Sequence, residues 1–187
     1  MLLDKLTGNW WAVVLRGVFA IIFGAVALGW PGITIGAFVL LFGVFALADG
    51  IFALVAAFAG GSGQRWWVLV LKAIVSILAA GVAFFMPGIT ALTLLYIIAF
   101  WAIVIGLMEI MVAIRLRKEI QGEFFLALGG VLSILFGIFA IARPGAGALA
   151  VTWMIGGYAI VFGVLLIGLG FRLKGLRNRV KKAVAAA

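Results

Sequence analysis

The pentapeptide "WPGIT" at residues 30–34 returns as "MPGIT" at 86–90 and, more loosely, as "RPGAG" at 143–147. Each copy separates two long apolar runs. Proline lacks an amide hydrogen and its ring clashes with the preceding helical turn, so a Pro-Gly pair after an apolar run stops one helix, and the glycine is expected to permit the reversal that starts the next. Pro31, Gly32, Pro87, Gly88, Pro144 and Gly145 are thus read as the turns of three helical hairpins.

The intervals identify the hairpins as copies. Pro31 to Pro87 spans 56 residues and Pro87 to Pro144 spans 57. At these offsets Trp10-Trp11 falls on Trp66-Trp67, Phe45 on Trp101 and Tyr158, and Arg115 on Arg172. Each copy holds two spans and so enters and leaves on one side of a bilayer. They are parallel repeats, expected to be arranged about an axis along the membrane normal, and not inverted ones.

Composition sets the medium. Hydrophobic residues are 68% of the chain and charged residues 10%, against roughly a quarter charged in a soluble domain. The apolar runs suit a hydrocarbon core about 30 Å thick. They cover residues 10–30, 33–59, 66–86, 89–114, 124–142 and 148–171, joined alternately by the Pro-Gly turns and by "GGSGQR" (60–65) and "RLRKEIQGE" (115–123). The expected fold is all-α: a polytopic membrane protein of six transmembrane helices in three hairpins, about 8–60, 64–116 and 122–174. These form a single membrane domain, 1–187, with a basic tail at 175–187. The first run is longer than a signal-peptide core and ends without an A-x-A-like site, so it is expected to be retained.

Basic residues orient the spans. Lys5, Arg65, Arg115, Arg117, Lys118, Arg172, Lys174, Arg177, Arg179, Lys181 and Lys182 lie on the side of the termini and longer connectors, whereas the Pro-Gly side holds Arg143. The positive-inside rule then places both termini in the cytoplasm. Trp10, Trp11, Trp66 and Trp67 fit an inner aromatic belt, and Trp30 an outer one.

Small residues recur at every seventh position: Gly43, Gly50, Ala57; Ala99, Gly106, Ala113; Gly156, Gly163, Gly170; and in the odd spans Gly17 and Gly24, Ala73 and Ala80, Gly130 and Gly137. Such a stripe keeps one helix face in register with a left-handed neighbour, and lets backbones approach where lipid offers no hydrophobic drive. It is read as a packing interface, with a glycine-lined pore as the alternative. The interface could lie within a hairpin, between hairpins or between protomers.

Four ionisable residues fall inside spans: Arg16, Asp49, Lys72 and Glu109. On insertion scales such a side chain costs about 2.5–3.5 kcal/mol at a helix centre. At helical rise all four lie in the cytoplasmic half, Glu109 at its boundary. Arg16 and Asp49 differ by about 5 Å in depth on adjacent helices, so an Arg16–Asp49 ion pair is expected, with Lys72 as the partner of Asp49 across hairpins as the alternative. The functional alternative is a cytoplasm-facing cavity in which Asp49 takes up protons or cations. Thr34, Thr90, Thr93, Tyr96 and Thr152 offer thin polar provision for the outer half of such a path.

The chain has no His and no Cys. A tetrahedral metal set, a Ser-His-Asp arrangement and a thiol nucleophile are therefore excluded, and no phosphate-binding G-x-x-x-x-G-K-[ST] loop occurs. No catalytic, cofactor-binding or metal site is expected, and the chain is read as not an enzyme. The bases of the tail suit an orientation anchor, with anionic lipid as a partner and no nucleic acid.

The segments "NWWAVVLRGVFAIIFGAVALGWPGIT", "LLFGVFALADGIFALVAA", "FWAIVIGLMEIMVAIRLRKEI" and "RPGAGALAVTWMIGGYAIVFGVLLI" resemble the HdeD family of short-repeat bacterial inner-membrane proteins, over about residues 5–174. The resemblance implies six spans, the bacterial inner membrane and a link to acid resistance, with no enzymatic activity and no catalytic residues to carry over. Arg16, Asp49 and Glu109 match the charges usual in that family, whereas Lys72-Ala73 stands where arginine-glycine is expected. Three functional readings follow: a non-enzymatic protein of acid or envelope stress defence acting through helix packing or self-association, a small proton or ion pathway using Asp49 and Glu109, and a membrane-anchored adaptor with the basic tail as its handle.

Overall fold

In a computed structural model of the chain, residues 10–59, 65–116 and 123–185 are described, with side chains as far as residue 175. They form six helices: α1 (Trp10–Gly29), α2 (Pro31–Ala59), α3 (Trp66–Phe85), α4 (Pro87–Leu116), α5 (Glu123–Ala142) and α6 (Pro144–Ala185). All six are long and apolar enough to cross a membrane, and no strand occurs among the described residues. Lys5, Arg117, Lys118 and the connector residues 60–64 and 117–122 lie outside the described residues, as do the side chains of Arg177, Arg179, Lys181 and Lys182.

The Pro-Gly signals act differently from the expectation. Each joint is one non-helical residue, Trp30, Met86 or Arg143, and the proline is the first residue of the next helix. Proline is suited to that place, where a helix has no use for the missing N–H and φ is already fixed. The steric demand of proline on its predecessor throws the break one residue earlier, and Met86 sits at φ −133°, ψ 61°. Gly32, Gly88 and Gly145 lie within helices and need no left-handed backbone. The carbonyl of each joint residue still accepts from the fourth residue on: Thr34 N at 3.3 Å, Thr90 N at 3.2 Å and Gly147 N at 2.8 Å.

The last helix also exceeds expectation, running through the basic tail to Ala185. Lys, Arg, Leu and Ala are strong helix formers, so the backbone continues although the apolar run ends.

The chain forms two compact units, Met1–Thr34 with Val151–Ala187 and Ile35–Ala150. In the first unit, Gly17 faces Gly163 and Ile167, and Gly24 faces Gly156 and Ile160, which pairs α1 with α6. In the second, Gly50 faces Ala73 and Ile77, pairing α2 with α3, while Gly106 faces Gly130 and Gly137 faces Ala99, pairing α4 with α5. The small-residue stripes are therefore seams between helices of different hairpins. Consistently, α4 and α5 pack far more extensively than α3 and α4, which share a joint.

These seams explain what is buried. The core residues are mostly alanines and glycines, and the largest fully buried side chains are Val39 and Thr152. Phe45, Phe58, Phe85, Phe125 and Tyr158 are at least 70% exposed. Small residues inside and large apolar ones outside is the arrangement lipid favours, since hydrocarbon solvates the outer side chains while close backbone approach holds the helices.

Candidate functional site

The three seams share one register. Gly50 lies 20 residues past Trp30 and meets Ala73, 13 before Met86; Gly106 and Gly130 stand in the same relation to Met86 and Arg143, as do Gly163 and Gly17 to Arg143 and Trp30. The repeat of the sequence is thus a repeat of contacts.

Closeness differs among them. A methyl group on Gly130 would lie 2.6 Å from the Gly106 carbonyl oxygen, and one on Gly163 would lie 2.6 Å from that of Gly17. On Gly50 the nearest backbone oxygen, that of Ala73, would be 3.2 Å away. The α2/α3 seam carries alanines at positions 73 and 80 where α1 and α5 carry glycines, which holds its backbones further apart.

That wider seam bears the polar contacts. Lys72 Nζ donates to Asp49 Oδ1 at 2.8 Å, and Ser76 Oγ donates to Asp49 Oδ2 at 2.9 Å. Both carboxylate oxygens are satisfied. The Lys72–Asp49 pair is the one ion pair among the described residues, with the two side chains 54% and 38% exposed on the flank of the seam. Asp49 is thus held by the base across hairpins instead of by Arg16, because α2 packs on α3.

Glu109 lies on α4, half-buried, with its Oε2 3.6 Å from the point a methyl group on Gly129 would occupy. Gly129 stands 14 residues before its joint, the register held by Lys72 in α3 and by Arg16 in α1. The α4/α5 seam therefore has a carboxylate and no base beside it, and the exposed Arg16 of the α1/α6 seam has Phe162 and Leu166 at the registers of Asp49 and Glu109. Among the described residues, neither Glu109 nor Arg16 forms an ion pair, and neither has a side-chain hydrogen bond. At these registers one seam is self-neutralised, one holds an acid without a base and one a base without an acid.

Near the far end of the α1/α6 seam, Lys174 Nζ lies 4.8 Å from the centroid of the Trp10 ring. The sequence suggests a belt position for Trp10 and a place on the side of the termini for Lys174 without joining them, because nothing in it says that the first and last helices are neighbours. Thr34 and Thr90, expected as outer polar stations, are instead buried with their hydroxyls donating to the carbonyls of Trp30 (3.4 Å) and Met86 (3.5 Å), and Thr93 donates to Ile89 O at 2.9 Å. Among the described residues, no three His, Cys, Asp or Glu side chains group as a metal set would.

Six long apolar helices, sealed by small residues in three repeated seams, define a multi-pass helical membrane protein built from an internal repeat. The chain belongs to the family described as "Short repeat of unknown function (DUF308)", matched three times, at residues 15–81, 71–130 and 128–184. Each match contains one Pro-Gly joint. Neither curated proteins nor solved structures returned a match.

Proposed function

We propose that this is a non-enzymatic protein of the bacterial inner membrane, serving acid or envelope stress defence through helix packing and self-association, with both termini in the cytoplasm. The observation that supports the reading is the saturation of Asp49: Lys72 and Ser76 take both of its oxygens, so its polar chemistry is spent on joining α2 to α3. The resemblance to the HdeD family supplies the acid-stress context. The test is survival at low pH of a strain lacking the gene. Wild type and the double variant Asp49→Asn with Lys72→Met, in which neither charge is left unmatched, should restore survival, whereas Gly106→Leu, which breaks a seam, should not. Loss of rescue by the double variant at normal protein level and thermal stability would sink the reading.

A proton or ion pathway using Asp49 and Glu109 is the second reading, favoured by the unpaired state of Glu109. It requires flux in proteoliposomes under a pH gradient that Glu109→Gln reduces. An adaptor role for the basic tail is the third, and it ends if deletion of residues 175–187 has no phenotype.

A further inference from the structure

The unequal charging of three otherwise equivalent seams leaves one acid, Glu109, and one base, Arg16, at these inner registers without partners. Lys72 shows what the register 14 residues before a joint does when an acid is within reach: its ammonium neutralises Asp49 on the neighbouring helix. The same register is empty at Gly129, where a glycine leaves room and the Glu109 carboxylate stands beside it. It is filled at Arg16, where α6 presents Phe162 and Leu166. The missing base of one seam is thus the surplus base of another, equally far along its helix from its joint, about 21 Å at helical rise.

We propose that copies of this chain associate side by side in the membrane, with Arg16 of one copy pairing with Glu109 of the next. The proposal deepens the self-association part of the reading above. Ionisable groups left alone in a bilayer are costly, and a guanidinium can grip a carboxylate through two parallel hydrogen bonds. Arg16 is exposed and Glu109 half-buried, so both can be reached from outside their own seam. Glu123 on α5 and Arg115 on α4 are the nearest ionisable residues along the described parts of the α4/α5 pair, each six residues from the contact at Gly129 or Glu109, about 9 Å along the helix. A contact in which the acid of one copy meets the base of the next, repeated from copy to copy, is head-to-tail and produces rings or rows.

The test is association of purified, labelled protein in phosphatidylethanolamine and phosphatidylglycerol vesicles, read by energy transfer and by single-molecule photobleaching. Arg16→Gln and Glu109→Gln should each weaken association about threefold to twentyfold, the range of interhelical polar contacts. Mixing the two variants should restore one contact per pair and produce mixed dimers without larger assemblies. The double reversal Arg16→Glu with Glu109→Arg should associate like wild type. Monomeric wild type at every protein density, unchanged association in both variants, or loss that neither mixing nor double reversal restores would each overturn the proposal. The vesicles carry no acid challenge, so this result and the survival assay fail separately.

Discussion

Lys72 and Arg16 hold the same place in two copies of one repeat, yet Lys72 alone has an acid to neutralise. Substituting Asp49→Asn or Lys72→Met should each lower thermal stability in lipid, because each leaves an unmatched polar group. The double variant should recover part of the loss. Strictly additive losses in a double-mutant cycle would count against the pair. The Lys174 ammonium over Trp10 is a second checkable contact: Lys174→Gln should lower stability by about 0.5–1 kcal/mol and alter Trp10 fluorescence in a variant whose other tryptophans are replaced. Sequence named Arg16 as the base of the ion pair and Lys72 as the alternative, and the structure pairs Asp49 with Lys72. Repeat-equivalent bases look alike until the helix that packs on α2 is known.

Helix pairing itself was the least legible element of the fold. Short connectors suggested that helices sharing a Pro-Gly joint are partners. In fact a one-residue joint leaves α3 and α4 with little contact, while the longer segment after Leu116 allows α5 to lie along α4. Helix number was plain from apolar runs and prolines, and the packing stripe from its seven-residue recurrence, whereas the starts at each proline and the extension of α6 to Ala185 were not; nor could it be read which stripe faces which. The contact distances now grade the glycines. Gly130→Ala or Gly163→Ala places a methyl 2.6 Å from a backbone oxygen and should cost about 1–3 kcal/mol, as overpacking does. Gly50→Ala, whose closest neighbour is the side chain of Ile77, should cost less. Gly81→Ala meets nothing within 4 Å and should gain about 0.5–1 kcal/mol from helix propensity. Equal melting temperatures across this series would contradict the seam assignment.

For the whole molecule, the charge bias predicts which end of the helices faces outward. A Cβ at Gly32, Gly88 or Gly145 would meet nothing within 4 Å beyond its own helix, so a cysteine at any of them should fold normally in this cysteine-free chain. Under that orientation each should react with an impermeant thiol reagent added outside intact cells. Labelling only after the cells are broken would reverse it. Three copies of one unit made the number of spans readable, because the Pro-Gly signal repeats with its intervals. The unequal shares of charge among the copies acquired meaning only once their seams could be laid on one register.

The pairing of α1 with α6 has a consequence for the order of the chain. α2 meets α3 and α4 meets α5 through ordinary connecting segments, whereas α6 meets α1 at the same register with no covalent link. Trp10 at the start of α1 therefore lies beside Gly170 and Lys174 of α6, the positions that a third connector would join. A circular permutant that ties the end of α6 to the start of α1 and opens the backbone between Ala59 and Arg65 should insert, retain all three seams and melt close to the parent.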